Sequence, residues 1–403
     1  MEKITQEHSL YRVIDKVVPG NRDELIERIN GSEKLKVKFG TDPTGKDLHL
    51  GHAVNLWVMR AMQERGHSVD LIIGDVTARI GDPTGRNKER AELSHDEVNS
   101  NAGDFLKQIQ LVLLTEQDVF TVHRNSDWYL AMNAVEFIDR TLRRTTLAQL
   151  IARSDFRTRI DASLAIHGHE LVYQLIQGYD SVHLHSDVAL CGDDQLTNEL
   201  MGRHLQVSDG QRGQDIVTTR LTAGIDGGKK QSKSVGNYIG LTHSPEEKFR
   251  RIMSIPDRLI SDYLEVYTDL ASSEIRSLVD QYVNTAPRIL KLILAKAMLV
   301  RYHSETEINQ ATESYERSAT NSAPTDTQTY IVSPQIDLVN FAADILGMSK
   351  SAFIRLVESN AVSINGVKFS SSDIKERKLA IELTGDSILK YGKNKWAKLV
   401  IKS

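Results

Sequence analysis

The sequence predicts a doubly wound α/β domain with a helical insertion, followed by an all-helical region and a small α+β unit. A strand–helix–strand pattern near the N-terminus indicates a parallel sheet, whose ligands bind at the carboxyl ends of its strands. From about Ser244 the patterns are helical only, until the polar stretch "SATNSAPTDTQTY" loses periodicity. That stretch is typical of a linker.

The first three elements can be assigned in order. "KLKVKFGTDPT" predicts a strand that ends in a turn, because Gly and Pro follow the apolar residues. "DLHLGHAVNLWVMRAMQERGH" has apolar residues at helical spacing and ends near a glycine, so it predicts a helix. "SVDLIIGDVTA" is a nearly continuous apolar run, as expected of a buried parallel strand.

Later segments complete the prediction. Residues from about Glu89 to Ile166 are mostly helical and amphipathic, which suggests an insertion into the sheet. The segment from Glu170 to Gln206 then predicts helix, strand, turn and helix. The C-terminal unit is predicted to be α+β and contains five lysines between Lys390 and Lys402.

Composition indicates a globular protein, since 40% of the 403 residues are apolar and 26% are charged. No stretch approaches the roughly 18 apolar residues of a membrane span, and the first residues lack the apolar core of a signal peptide. Cys191 is the single cysteine, which rules out an internal disulfide. We therefore expect a cytoplasmic protein that does not bind membranes.

Charge is unevenly distributed along the chain. Residues 331–403 carry 11 Lys and Arg against 7 Asp and Glu, whereas the rest carries 39 against 47. A basic unit on an acidic body favours a polyanionic partner, although many solvated surfaces have the same pattern.

The segment "DPTGKDLHLGH" joins the predicted first strand to its helix and is a candidate phosphate site. His49 and His52 are three residues apart and share one face near the helix N-terminus, where peptide N–H groups favour an anion. Thr44 adds a hydroxyl donor, and Gly51 leaves room for a flat ring against the backbone. Two surface histidines at an ordinary helix start would explain the pair equally well. A metal site is not predicted, because the histidine pairs lack Cys or carboxylate partners at zinc-ligand spacing.

"GGKKQSKSVGN", from Gly227 to Asn237, is a glycine-hinged loop in which Lys230 and Lys233 could converge on pyrophosphate. Taken alone, a solvated loop is the simpler interpretation. A second triplet, in "GMSKSAF", lacks the leading lysine and opens a predicted helix.

Together, "HLGH" and "KQSKS" resemble the HIGH and KMSKS signatures of class I aminoacyl-tRNA synthetases. "KFGTDPT", "IGDVTARIGDPTGRNK", "YQLIQGYDSV", "GDDQLTNELMGR" and "SVGNYIGL" resemble the bacterial tyrosyl-tRNA synthetases of the longer branch, nearly end to end. The resemblance implies a Rossmann-like catalytic domain (1–240, with a helical insertion at about 89–166) and an α-helical anticodon-binding domain (241–317). A linker (318–333) and an S-four-type RNA-binding domain (334–403) complete the chain.

The resemblance implies that tyrosine and ATP form tyrosyl-adenylate, and that the tyrosyl group then moves to tRNA(Tyr). The implied catalytic residues are Thr44, His49, His52, Lys230 and Lys233. The implied ATP-binding residues are Gly51, Gly192, Asp194, Lys233 and Ser234. The implied tyrosine-binding residues are Lys38, Gly40, Asp42, Thr77, Asp82, Tyr173, Gln177, Asp180 and Gln195.

Partners follow from the same resemblance. ATP is expected with Mg²⁺ as co-substrate, without a tightly bound cofactor or a protein metal site. The family is a homodimer joined through the inserted segment, with tRNA spanning both subunits. Lys350 and Arg355 on the C-terminal unit are expected to face RNA.

Four residues depart from the family pattern: Cys191, Asp193, Thr197 and Gln231. Lys38 also stands where one branch has a tyrosine. Cys191 adds a side chain where the backbone is expected to approach the ligand closely, and Asp193 adds a carboxylate beside Asp194, close to where the adenylate should sit. Tolerated drift would explain these residues, and so would a specialised paralogue that resists an inhibitor or activates a tyrosine analogue. A non-catalytic RNA-binding regulator is the third alternative.

Overall fold

The computed structural model describes residues 3–43, 47–83, 95–228, 230–232, 235–320, 327–375, 379–392 and 395–402. The chain divides into two compact units, Met1–Ile308 and Asn309–Ser403. Among the described residues, no helix is long and apolar enough to cross a membrane.

A six-stranded sheet is the centre of the first unit, in the order β1-β6-β5-β2-β3-β4. All neighbouring pairs are parallel except β1 and β6. The chain moves outwards from β2 to β4 on one side, then returns to β5 and β6 on the other side. The direction of winding therefore switches between β2 and β5, where doubly wound sheets bind ligands. The strands are β1 Ile14–Val18, β2 Lys36–Thr41, β3 Ser68–Ile73, β4 Phe120–Arg124, β5 Val188–Cys191 and β6 Asp215–Thr219.

The predicted strand–helix–strand pattern is confirmed as β2, α3 and β3, although β1 precedes it and was not predicted. Helix α3 follows β2 and buries Ala53, Val54, Leu56 and Met59 on one face, as its apolar spacing predicts. The helices around the sheet are α1 Ser9–Val13, α2 Arg22–Asn30, α3 Leu50–Gln63, α4 Asp75–Ile80, α5 His95–Ile109, α6 Ser126–Tyr129, α7 Ala134–Arg140, α8 Leu147–Leu150, α9 Ser154–Asp161, α10 Gly168–Leu184 and α11 Leu196–Ser208. Short 3₁₀ helices occupy Leu142–Arg144 and Asp193–Gln195.

One strand was missed in the segment predicted as a helical insertion at about 89–166. β4 lies within this segment and pairs with β3 in parallel register, so it extends the sheet. "FTVHR" is short, and Phe120 is its only buried residue, so the strand shows no alternation of buried and exposed positions and the surrounding helical periodicity masked it. The helical excursion is the segment between β4 and α10, residues 125–167, and it contains α6 to α9.

The region predicted to be all-helical from about Ser244 is helical, as expected. Ser244 accepts a hydrogen bond from the N–H of Glu247, and Pro245 occupies the first turn, so the sequence itself defines where α12 begins. The elements are α12 Pro245–Met253, a 3₁₀ helix Asp257–Leu259, α13 Ile260–Tyr267, α14 Ser272–Tyr282, α15 Pro287–Leu299 and α16 Glu305–Thr320.

The second unit contains a five-stranded sheet, in the order β10-β9-β12-β13-β7, and a β8–β11 pair. Its core includes Phe341, Phe353, Val357 and Leu389. Within the predicted linker at 318–333, α16 continues to Thr320 and β7 begins at Thr329; residues 321–326 lie outside the described part. The elements are β7 Thr329–Val332, β8 Gln335–Asp337, α17 Leu338–Asp344, α18 Lys350–Glu358, β9 Val362–Ile364, β10 Val367–Lys368, α19 Ser371–Lys375, β11 Ala380–Glu382, β12 Ser387–Tyr391 and β13 Trp396–Ile401.

Candidate active site

A cavity of ≈ 370 Å³ opens at the carboxyl ends of β2 and β5. It gathers fifteen of the predicted site residues, although they come from distant parts of the chain. These are Lys38, Gly40, Asp42, His49, Gly51, His52, Thr77, Asp82, Tyr173, Gln177, Asp180, Gly192, Asp194, Gln195 and Lys230. The other predicted residues of this site, Thr44, Lys233 and Ser234, lie outside the described residues.

The two histidines begin α3 and cap it reciprocally. His49 Nδ1 accepts the N–H of Gly51 at 3.1 Å, and His52 Nδ1 accepts the N–H of His49 at 3.3 Å. Because Nδ1 is the acceptor in both rings, the neutral imidazoles carry their proton on Nε2, which makes each a donor. A side chain at Gly51 would come within 3.0 Å of the His49 ring, so glycine permits this cap.

The segment after the lysine loop pairs with the start of α3. The N–H of Leu50 donates to Ile239, and the N–H of Leu241 donates to Leu48. These two hydrogen bonds bring both signature segments to the same cavity, where the exposed Lys230 joins His49 and His52. Cationic and N–H donors lining one cavity are suited to phosphate oxygens.

Asp180 supplies a buried carboxylate to the cavity. Its side chain accepts a hydrogen bond from Trp128 Nε1 at 3.1 Å, and Asn125 also contributes a hydrogen bond. Burial raises the pKa of Asp180 to about 7, although the nearby Lys38 ammonium opposes that shift. An acceptor of this kind is suited to a hydroxyl group on a ligand.

Two further carboxylates lie in hydrogen-bonded chains. Asp42 accepts from the Tyr173 hydroxyl at 3.0 Å and from Thr77 Oγ1 at 2.6 Å. Asp82 accepts from Gln195 Nε2 at 2.7 Å. Burial raises the pKa of Tyr173 well above its ordinary value, so its hydroxyl keeps its proton. Two oriented carboxylates favour a cationic group such as an ammonium.

Comparison with known proteins identifies the family. The model of the family described as "tRNA synthetases class I (W and Y)" matches residues 30–318. This chain belongs to the class I tRNA synthetases. Its Rossmann-like α/β fold is the fold of that class, with the cavity at the position of the winding switch.

Curated relatives match nearly the whole chain. "Tyrosine--tRNA ligase" of Francisella tularensis is 37% identical over 383 residues, covering 94% of this chain and 95% of the relative. "Tyrosine--tRNA ligase 2" of Photorhabdus laumondii is 38% identical, covering 87% and 88%. "Tyrosine--tRNA ligase" of Deinococcus radiodurans is 37% identical, covering 94% and 93%.

Solved structures share the fold at lower identity. A C-terminally truncated mitochondrial tyrosyl-tRNA synthetase of Aspergillus nidulans superposes with a TM-score of 0.63 at 21% identity, covering 77% of this chain and 94% of that one. A tyrosyl-tRNA synthetase of Archaeoglobus fulgidus, solved with L-tyrosine, gives 0.58 at 22%, covering 75% and 97%.

The residues that depart from the family pattern fall into two groups. Cys191 and Gln231 line the cavity of this synthetase, whereas Asp193 and Thr197 are exposed and are not among the residues that line it. The Asp193 carboxylate accepts a hydrogen bond from Lys16 Nζ at 2.5 Å. Both side chains of this ion pair are exposed, so the pair contributes little to stability.

Gln231 replaces the methionine of the signature and is buried. Its Nε2 donates to the Tyr267 hydroxyl at 2.9 Å, and its Oε1 accepts the N–H of Ile239 at 3.3 Å. A polar residue is tolerated here because both ends of the amide are hydrogen-bonded.

Several residues of the site were missed by sequence reasoning. Glu199 lines the cavity and is buried. Asn198 Nδ2 donates to Gln195 Oε1 at 2.8 Å, and Arg153 Nη1 donates to Asn198 Oδ1 at 2.9 Å. Glu199 follows Gln195 by four residues, a spacing that puts side chains on one helix face and could have signalled it. No comparable spacing in the sequence pointed to Trp128 as a residue of the site.

Lys350 and Arg355 are exposed on α18 of the second unit. Ser349 caps this helix by accepting the N–H of Ala352, which gives the second "SKS" triplet a structural role. Among the described residues of the chain, no group of three or more His, Cys, Asp or Glu side chains could hold a metal ion.

Proposed function

We propose that this protein is a tyrosine–tRNA ligase, which activates L-tyrosine with ATP and transfers the tyrosyl group to tRNA(Tyr). The observation that carries the proposal is one cavity lined by the buried carboxylate of Asp180, the oriented carboxylates of Asp42 and Asp82, and the donors His49, His52 and Lys230. These groups fit a phenol, an ammonium and a set of phosphates, respectively. The names of the curated relatives support the same assignment.

In the first step, a carboxylate oxygen of tyrosine attacks the α-phosphorus of ATP, and pyrophosphate leaves. Negative charge grows on the phosphate oxygens in the transition state, and His49, His52 and Lys230 stabilise it with preorganised donors. Thr44 and Lys233 complete this set by resemblance to the family. Mg²⁺ enters bound to the ATP phosphates, and the protein supplies the remaining positive charge.

ATP is held beside the start of α3 and the end of β5. Gly51 lies against the adenine, and Gly192 and Asp194 reach the ribose, with Ser234 nearby by family resemblance. A side chain at Gly192 would come within 2.6 Å of Asp194 Oδ1, so glycine leaves that carboxylate its position.

Tyrosine is bound through both of its ends. Asp180 accepts the phenolic hydroxyl, and phenylalanine is rejected because it would leave this buried acceptor unpaired. Tyr173, Asp82 and Gln177 surround the α-ammonium group. Residues that support these contacts are Lys38, Gly40, Asp42, Thr77 and Gln195.

The second step moves the tyrosyl group to the terminal adenosine of tRNA, whose hydroxyl attacks the carbonyl carbon while AMP leaves. The helical region 241–317 contacts the anticodon, and the basic domain 334–403 contacts the tRNA body through Lys350 and Arg355. A catalytic domain at 1–240 and a linker at 318–333 complete the proposed organisation. The single cysteine fits a reducing compartment, so we assign the protein to the cytoplasm.

We also propose a homodimer, with the excursion between β4 and α10 as its interface. Large apolar side chains are exposed along this segment, and a second copy of the chain would cover them. They are Leu130, Val135, Ile138, Leu142, Leu147, Ile160 and Leu164.

Tyrosine-dependent exchange of labelled pyrophosphate into ATP, without tRNA, tests the activation step. We expect exchange with L-tyrosine and none with phenylalanine, m-tyrosine or β-tyrosine. Silence with every amino acid would favour a non-catalytic RNA-binding regulator, and exchange with an analogue alone would favour a re-tuned paralogue. Charging of tRNA(Tyr) then tests the second step.

A specialised paralogue is a second candidate, because Cys191 places a thiol side chain in the cavity where the family has glycine. Inhibition by a non-hydrolysable tyrosyl-adenylate mimic should then be weaker for the native protein than for Cys191→Gly. Equal inhibition of the two proteins would remove this candidate.

A further inference from the structure

Glu199 is a buried carboxylate on α11 that lines the cavity and has 3% of its surface exposed. Three donors from three different elements converge on it. Lys38 Nζ lies 2.7 Å from Oε2, Gln214 Nε2 lies 2.9 Å from Oε2, and Gln177 Nε2 lies 3.1 Å from Oε1. Both carboxylate oxygens therefore accept hydrogen bonds, and these bonds connect β2, α10 and the residue that precedes β6.

Lys38 is the charge partner of Glu199, and its surface is 1% exposed. Its ammonium also donates to Ser181 Oγ at 2.7 Å. A buried ion pair is costly to desolvate, and hydrophobic residues of similar size often serve stability as well. The pair is therefore better explained by what it orients than by stability alone.

Gln177 is the group that the pair orients. Its Nε2 is taken by Glu199, while its Oε1 is buried and has no hydrogen-bond partner among the residues that the structure describes. An ionised carboxylate accepts hydrogen bonds and cannot donate them. Glu199 therefore fixes which end of the Gln177 amide it holds and leaves the carbonyl oxygen for another donor.

We propose that Glu199 is a positioning residue for the amino-acid substrate, acting through Gln177. It presents Gln177 Oε1 as an acceptor for the α-ammonium group. This inference rests on the proposed function, since it assumes that the cavity binds tyrosine.

The experiment measures pyrophosphate exchange in the full-length protein with Glu199→Gln. A glutamine keeps the shape but carries its own NH₂ donors, which will bond to Gln177 Oε1 and compete with the substrate. We expect the KM for tyrosine to rise roughly tenfold, the effect of losing one hydrogen bond to a charged group, while kcat and the KM for ATP change little.

A second experiment measures the effect of Glu199→Gln in protein that already carries Gln177→Ala. If Glu199 acts through Gln177, adding Glu199→Gln to Gln177→Ala should raise the KM for tyrosine no further. If the double variant instead raised the KM for tyrosine by the product of the two single-variant factors, the proposal would be overturned, because Glu199 would then act independently of Gln177.

A variant in which both members of the ion pair are uncharged distinguishes a role of Glu199 in substrate positioning from a role in folding. Lys38→Met with Glu199→Leu removes both charges of this ion pair together, so neither Lys38 nor Glu199 is left buried without the other. We expect this variant to unfold at a temperature close to that of the native protein and still show the raised KM for tyrosine. A native KM in this variant would also overturn the proposal.

Native protein that fails to exchange pyrophosphate with tyrosine would refute the proposed function and this inference with it. Native exchange combined with independent effects at Glu199 and Gln177 would refute the role of Glu199 alone.

Discussion

The indole nitrogen of Trp128 lies 3.1 Å from a carboxylate oxygen of Asp180, inside the first unit. Trp128 belongs to α6, at the start of the helical excursion, whereas Asp180 belongs to α10, 52 residues later. The excursion that carries the exposed apolar surface thus also supplies a donor to the buried acceptor of the cavity. Recognition of the amino acid and the proposed dimer interface share one segment.

Asp180→Asn should lower kcat/KM for tyrosine by about a hundredfold, because a charged acceptor is replaced by a weaker neutral one in a buried site. Activity with phenylalanine should change far less, so discrimination between the two amino acids should fall. Pyrophosphate exchange measures both. Trp128→Phe is the matched control, since it removes a donor but keeps the acceptor, and should retain most discrimination.

The pKa of Asp180, raised by burial to about 7, predicts a pH dependence of tyrosine binding. The ionised carboxylate is the stronger acceptor, so the KM for tyrosine should fall as pH rises from 6 to 8. Asp180→Asn should lack this component. A parallel pH profile in the two proteins would show that another group titrates.

Stability should show the opposite trend with pH at this residue. The folded protein keeps a proton on Asp180 between its ordinary pKa of 3.8 and about 7, whereas the unfolded chain has lost it. The free energy of unfolding therefore contains a contribution that is fully present below 3.8 and is lost as pH rises through about 7. Urea unfolding should show Asp180→Asn gaining stability relative to the native protein between pH 5 and pH 8.

Lys230→Ala should reduce kcat for pyrophosphate exchange by about a hundredfold, because one preorganised donor to the transition-state charge is lost. The KM for tyrosine should stay near its native value. Lys16→Ala is the matched control: this exposed lysine pairs with Asp193, which is not among the cavity residues, and its loss should change kcat by less than about twofold. Equal effects of the two variants would contradict the assignment of Lys230.

Cys191 should be inert to thiol reagents in the folded protein. Its side chain is buried, and burial raises the pKa of the thiol well above its ordinary value, so the reactive thiolate is scarce. A chromogenic disulfide at pH 8 should react with one thiol per chain after unfolding in urea and with almost none before. Fast reaction of the native protein would show that the cavity opens at Cys191.

Leu130→Asp combined with Val135→Asp should halve the mass measured by size-exclusion chromatography with light scattering. Both side chains are mostly exposed in the single chain, and burying a carboxylate in an interface is costly. Val367→Asp, at an equally exposed apolar position of the second unit, should leave the mass unchanged. A native protein that is already monomeric would contradict the proposed dimer.

Much of the fold and site could be predicted from sequence, and particular residues show where prediction stopped. His49, Gly51 and His52 lie where the apolar helical spacing begins, so their place at a helix start was predictable. β4 was missed because five residues with one buried position carry a weak pattern among strong helical ones. The pairing of Asp193 with Lys16 could not be predicted, because the two residues are 177 positions apart in the sequence.

The sequence by itself determined the strand–helix–strand pattern from β2 to β3, the helical region after Ser244 and the family, since these depend on residues a few positions apart or on several motifs in a fixed order. Only the tertiary structure decided which polar side chains meet. Lys38 meets Glu199 across 161 positions, Lys16 meets Asp193 across 177, and Gln231 meets Tyr267 across 36. The pKa of Asp180 was decided in the same way, because desolvation depends on everything packed around the carboxylate.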